Sequence, residues 1–275
     1  MSLAGRRIAF IGGGAMAEAL ASGLIAGGVS ASQIRIAEPL PERCAQLRDR
    51  LGVAAGADYA DAVRDSDLVV LAVKPGVVPT ALTALRATDL DLTSPLWISI
   101  AAGVRLESLE AGLGAKARII RAMPNTPSLV GAGATAICGN AQTDASDRSD
   151  ASSLFESVGI AWEADAENLL DAVTGLSGSG PGYVFLFLEA LIDAGEDAGL
   201  PREAAERLAT QTVYGAAKLA LDGDSSPAQL REQVSSPGGT TLAGLAVLDE
   251  GGLREILARA VAAATRRSVE LGEGS

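Results

Sequence analysis

The chain has 275 residues, 48% of them apolar, with a formal charge of −12 and a pI near 4.5. At that length a sizeable core can be buried without disulfides or metal staples, and the acidic balance, with no basic stripe, excludes a phosphate-binding nucleic-acid surface. The absence of histidine excludes an imidazole base, a Ser-His-Asp triad and a His-ligated zinc, and Cys44 and Cys138 stand apart without the CxxC spacing of a metal or redox pair.

Reading in chain order, two arginines lead at once into Ile8 to Ile11 and a glycine turn, without the long apolar stretch and cleavage site of a signal peptide. A cytoplasmic protein is expected. Short apolar runs then alternate with amphipathic stretches: Arg7 to Ile11, Ile34 to Ala37, Leu68 to Val73, Leu96 to Ile100 and Ile119 to Ala122 read as strands. Apolar strands separated by helices predict a parallel, doubly wound sheet. Gly139 to Asp150 is polar and reads as a loop or as the lead into a helix around Ala151 to Val158, with another strand at Gly159 to Glu163.

After about Ala164 the pattern turns helical, over Pro181 to Ala198, Arg202 to Leu221, Pro227 to Val234 and Leu253 to Leu271. Pro201 and Pro227 suit first helical turns, and Gly199 and Gly223 suit helix ends. The fold class is therefore α/β: a Rossmann-type domain over residues 1–164, then an all-α domain over residues 165–275. The helix from Pro181 to Ala198 is apolar on nearly every side, which suits burial between subunits and predicts at least a dimer. The longest apolar run, Tyr183 to Leu188, stops at Glu189 and falls well short of the roughly 20 residues of a membrane span, so no membrane partner is expected.

Behind the first strand stands Gly12-Gly13-Gly14-Ala15-Met16-Ala17, a GxGxxA turn opening an amphipathic helix. That context is what dinucleotide binding requires. Gly12 permits the tight turn, Gly14 lets the backbone approach a pyrophosphate, and Ala17 lets helix pack on strand. Glu38, at the end of the second strand, is placed to accept hydrogen bonds from ribose hydroxyls, which favours NADH over NADPH. Arg43 could reverse that preference by reaching a phosphate, but it reads better as a solvated helix charge. Ala72-Val73-Lys74-Pro75 falls at the carboxyl edge of the sheet, where Lys74 lines the cofactor site.

Three further segments are rich in Gly, Pro, Ser, Thr and Asn: Met123 to Pro127, Ser177 to Pro181 and Ser235 to Thr241. The last, a Ser-Pro-Gly-Gly-Thr-Thr turn opening a helix, can cradle a small carboxylate or serve as a plain N-cap. With Ala101-Ala102-Gly103-Val104 and Thr174 to Pro181, these motifs closely resemble those of the pyrroline-5-carboxylate reductase family, in the same order over essentially the whole chain. The resemblance implies a Rossmann domain followed by a helical dimerisation domain, a homodimer, and a decamer of five dimers above it. It implies reduction of the cyclic imine Δ1-pyrroline-5-carboxylate to L-proline by hydride transfer from NADPH or NADH. It further implies that Ser236, Gly238, Gly239 and Thr240 hold the substrate carboxylate, that Thr241 is the catalytic residue facing the ring nitrogen, and that Gly12, Gly13, Gly14, Ala15, Met16, Glu38, Ala72, Val73, Lys74, Pro75, Ala101 and Gly103 bind the cofactor.

Glu38 departs from the small hydroxyl residue that many members carry there, and Asp222 and Asp224 are the nearest acids where a Glu often precedes Pro227. No metal is implied. A 3-hydroxy-acid dehydrogenase of the same plan would need a catalytic lysine, and the helix Tyr183 to Ile192 has none. A silent dinucleotide-sensing module would not need the Ser235 to Thr241 turn.

Overall fold

A computed structural model describes residues 3–273. Eight segments pair into one sheet: β1 (Ile8–Ile11), β2 (Ile34–Ala37), β3 (Ala54–Gly56), β4 (Leu68–Leu71), β5 (Leu96–Ser99), β6 (Arg118–Met123), β7 (Gly133–Gly139) and β8 (Gly159–Glu163). Their spatial order is β3-β2-β1-β4-β5-β6-β7-β8. Every residue of β1, β4 and β5 is buried, as continuous apolar runs covered on both faces demand. The central register pairs Ile8 with Ile34 and with Leu68, and Leu68 with Leu96, so the strands end level at Ile11, Ala37, Leu71 and Ser99. Between β1 and β4 the chain order reverses, which opens a crevice at the carboxyl ends of the strands.

Helices α1 (Ala15–Ala26), α2 (Pro41–Leu51), α3 (Tyr59–Val63), α4 (Val78–Arg86), α5 (Leu106–Leu113) and α6 (Ala145–Glu156) cover the sheet. Two apolar clusters result, one around Trp97, Leu109 and Ile119, the other around Phe10, Leu24 and Phe155. Asp144 opens α6 as a capping box with Asp147, so the polar stretch from Gly139 divides into a short loop and a helix start.

The sheet is not parallel throughout, as the alternation of apolar runs and helices had implied. β7 runs antiparallel to β6, and β8 runs parallel to β7. The cause lies in the link between β6 and β7, residues 124–132, which holds only a 3₁₀ turn at Thr126–Val130. A parallel return needs a crossover of a dozen or more residues. From β7 to β8 the chain has α6 to cross with, and the pair is parallel.

The chain divides into two compact units. One holds the described residues up to Ser179 together with those from Ala262 onward; the other is Gly180–Val261. In the first, α7 (Leu169–Val173) runs into a π-helical turn at Thr174–Gly178. In the second, α8 (Gly180–Asp197) and α9 (Arg202–Asp222) pack together, followed by α10 (Pro227–Gln233) and α11 (Thr240–Glu250). The last helix, α12 (Leu253–Glu273), contributes its C-terminal part to the first unit.

No residue of α8 is buried within the single chain, and Phe185, Leu186 and Phe187 are all exposed. The continuous helical stretch Leu169–Asp197 spans 29 residues, and an 18-residue window within it has a mean hydropathy of 1.2, long and apolar enough to cross a membrane by length and composition. The shorter apolar run seen in the sequence therefore understates it, because α7 and the π turn extend the helix backwards.

Candidate active site

In the first unit the glycine turn lies at the switch point. Gly12 takes a φ of +103°, and a Cβ there would stand 2.7 Å from the Ala72 carbonyl oxygen, so both backbone conformation and space require glycine. The Gly12 N–H donates to the Ala37 carbonyl, and the Ala72 N–H to that of Ile11, which carries the ladder one residue past the strands and brings the β1 and β4 loops side by side. Gly14 caps α1 without a side chain, and nothing lies within 4 Å of where its Cβ would point. Gly14 and Ala15 are exposed at the N-terminus of α1, where unpaired first-turn amides and the positive end of the helix dipole fit a pyrophosphate.

Ala15 is exposed, Met16 half-buried and Ala17 fully buried beneath the turn. Across the crevice, Ala72 and Val73 are half-buried while Lys74 and Pro75 are exposed at the start of a 3₁₀ turn. Beyond β5, Ala101 is buried in the core, and Gly103, with a φ of +78°, lies against Leu271 of α12.

Glu38 is buried. Its Oε2 accepts from the Gly13 N–H at 2.9 Å and its Oε1 from the Leu40 N–H at 3.0 Å, so a ribose hydroxyl would meet only the remaining lone pairs. Arg43 is not the solvated helix charge expected of it: Nε donates to the Gly13 carbonyl at 2.7 Å and Nη2 to Glu18 at 2.5 Å. Sequence reasoning missed this grip, because its two partners, in the glycine turn and in α1, stand some 25 to 30 positions away from Arg43 in the chain.

Asn125 was likewise overlooked as an individual residue, although its segment stood out. Its Nδ2 donates to the Ser177 carbonyl at 3.0 Å, and its Oδ1 accepts from the Ala134 N–H at 2.9 Å. The Met123 to Pro127 segment is thereby tied to the π turn. A Cβ on Gly178 would stand 2.6 Å from the Met123 methyl, so the π turn and the end of β6 lie against each other.

In the second unit, residues 234–239 join α10 to α11, whose first two residues are Thr240 and Thr241. The Gly239 N–H donates to the Ser236 carbonyl at 2.9 Å, and Gly238 takes a φ of +71°, closing a tight turn. Gly239 caps α11 without a side chain, so the plain Ser or Thr cap does not occur. Ser235 Oγ instead donates back to the Arg231 carbonyl. Ser236, Gly238 and Thr240 are exposed, Gly239 and Thr241 half-buried. Asp222 is paired with Lys218 at 2.5 Å.

Residues 167–271 match the family model for pyrroline-5-carboxylate reductase dimerisation, and residues 7–103 match that for coenzyme F420-dependent NADP oxidoreductases. The chain is 45% identical to the pyrroline-5-carboxylate reductase of Pseudomonas aeruginosa, with 97% of each chain covered. It is 46% identical to that of Synechocystis, with 97% of this chain and 98% of the relative covered. Among solved structures, the pyrroline-5-carboxylate reductase of Coxiella burnetii superposes with a TM-score of 0.92 at 40% identity, covering 97% of this chain and 98% of that one. The Plasmodium falciparum pyrroline carboxylate reductase, solved with NADP bound, gives 0.85 at 32% identity, with 98% of each chain covered. The chain belongs to the pyrroline-5-carboxylate reductase family.

Proposed function

We infer that this chain reduces Δ1-pyrroline-5-carboxylate to L-proline, using NADPH or NADH. The observation that carries the reading is the start of α11: a helix of 11 residues whose N-cap is glycine, leaving its first-turn amides for an anion from outside. Ser236, Gly238 and Thr240 hold the substrate carboxylate through N–H and hydroxyl donors, Gly239 shapes the turn by donating its N–H to the Ser236 carbonyl, and Thr241 places its hydroxyl at the ring nitrogen. A cyclic imine asks little more than this, because its C=N carbon is electrophilic once the nitrogen is protonated, so the lack of histidine is no obstacle.

The bound nicotinamide supplies the hydride. Gly12, Gly13, Gly14, Ala15 and Met16 seat the pyrophosphate, with Ala72, Val73, Lys74 and Pro75 across the crevice and Ala101 and Gly103 shaping its far edge. The negative charge of Glu38 disfavours a 2′-phosphate, which makes NADH the preferred form. Residues 165–275 form the substrate-binding and dimerisation half, after a cofactor half of residues 1–164. The exposed apolar sides of α8 are covered in a homodimer, five of which assemble as a decamer, and the enzyme works in the cytoplasm.

Following NADH and NADPH absorbance with purified protein and pyrroline-5-carboxylate tests the assignment. Substrate-dependent oxidation, faster with NADH, is the expected result. No oxidation with either dinucleotide would reject it in favour of a sensing module.

A further inference from the structure

The middle glycine of the turn is held on both sides. Glu38 accepts from its N–H at 2.9 Å, and Arg43 Nε donates to its carbonyl at 2.7 Å. A Cβ on Gly13 would stand 2.7 Å from Leu47 Cδ1 and 3.1 Å from Glu38 Cβ, so the turn lies flush against α2.

A peptide unit is planar and trans, with its C=O and N–H pointing opposite ways. The bond to Glu38 therefore fixes the Gly12–Gly13 unit, and the bond from Arg43 fixes the next, which carries the Gly14 N–H. Holding the Gly13 carbonyl toward Arg43 directs the Gly14 N–H to the opposite side.

Arg43 has little left for anything else. Nη2 is paired with Glu18 Oε2 at 2.5 Å and Nη1 reaches Gln46 at 3.3 Å. Glu18 stands in the first turn of α1, where a lone carboxylate would oppose an incoming diphosphate. Arg50 holds its other oxygen at 2.7 Å, so two guanidinium groups offset that charge.

We propose that Arg43 is a positioning residue for the dinucleotide turn, fixing the Gly13 carbonyl so that the Gly14 amide is preset for the pyrophosphate, and that it is not a ligand of an adenosine 2′-phosphate. The proposal rests on the dinucleotide reading of Gly12 to Ala17 and is independent of the imine substrate.

The test is a titration of NADH and NADPH against the full-length protein without substrate, for wild type, Arg43→Met, Arg43→Lys and Glu18→Gln. Arg43→Met weakens both dinucleotides by the same factor, about tenfold, as expected for loss of one charge-assisted hydrogen bond. Arg43→Lys restores part of that loss, since an ammonium can still reach one acceptor. In turnover, the KM for the dinucleotide rises while the KM for the imine holds. Should Arg43→Met not fold, Arg43→Lys carries the comparison: with one acceptor still within reach, both dinucleotides weaken alike and by less than tenfold. A loss confined to NADPH in Arg43→Met, or a gain confined to NADPH in Glu18→Gln, would overturn the proposal by making Arg43 a phosphate ligand. Unchanged affinity for both would reduce the contact to a surface ion pair. Wild-type binding without turnover would reject the imine substrate and leave the proposal standing, whereas no wild-type binding of either dinucleotide would reject the proposal itself.

Discussion

The Asp171 carboxylate accepts a hydrogen bond from the Ser268 hydroxyl at 2.6 Å in a buried setting, across 97 positions of sequence. The bond fastens the end of α12 to α7 within one unit, beside Leu271 against Gly103 and Gly272 against Arg105. Ser268→Ala leaves the carboxylate short of a donor, at a cost of about 1–3 kcal/mol. A thermal melt of the variant should drop by several degrees, and an unchanged melting temperature would show that the bond holds nothing.

Gly14→Val separates folding from binding. Gly14 has an ordinary φ of −67° and empty space where its Cβ would point, so valine strains neither backbone nor core. It does fill the approach to the α1 amides. The variant should melt near the wild-type temperature yet bind NADH at least ~10-fold more weakly, a loss of one 1.4 kcal/mol step or more. Wild-type affinity would place the pyrophosphate elsewhere.

The central strands were legible because burial on both faces writes itself as unbroken apolar sequence; β2 and β8 fall on the segments read from the chain, and the others shift by one or two residues at an end. Two strands were not legible. β3 is Ala-Ala-Gly at the sheet edge, with no fully buried residue to mark it, and β7 begins and ends in glycine. The reversal at β6 was encoded in linker length rather than in strand composition. Of the site, the glycine turn was plain from spacing, whereas the inward turn of Glu38 and the grip of Arg43 on Gly13 depend on tertiary contacts that no local pattern records.

Cys138 lies buried on β7, opposite Arg121 of β6. Burial raises its thiol pKa, the nearby Glu167 raises it further, and Arg121 opposes them. The folded state thus keeps the proton to higher pH than the unfolded chain does, so this group costs stability as pH climbs through the unfolded thiol range near 9. Folded protein should react with a thiol reagent at Cys138 far more slowly than unfolded protein at pH 8 to 9. Equal rates would mean the thiol is neither shielded nor shifted.

Thr241 stands in the first turn of α11, half-buried, with the N-cap position taken by Gly239, so its hydroxyl has no capping duty. Removing it should leave the helix intact, since alanine is the better helix former by a few tenths of a kcal/mol. If the hydroxyl meets the ring nitrogen as that nitrogen takes up its proton, the loss appears in the chemical step. Thr241→Ala should lower kcat by roughly 10- to 100-fold, the scale of one hydrogen bond made to a charged centre in the transition state. NADH affinity, set by the glycine turn, should hold. Turnover and cofactor binding measured on the same preparation decide the point: a parallel fall in both would indicate damage to the fold, and full turnover would remove Thr241 from the reaction.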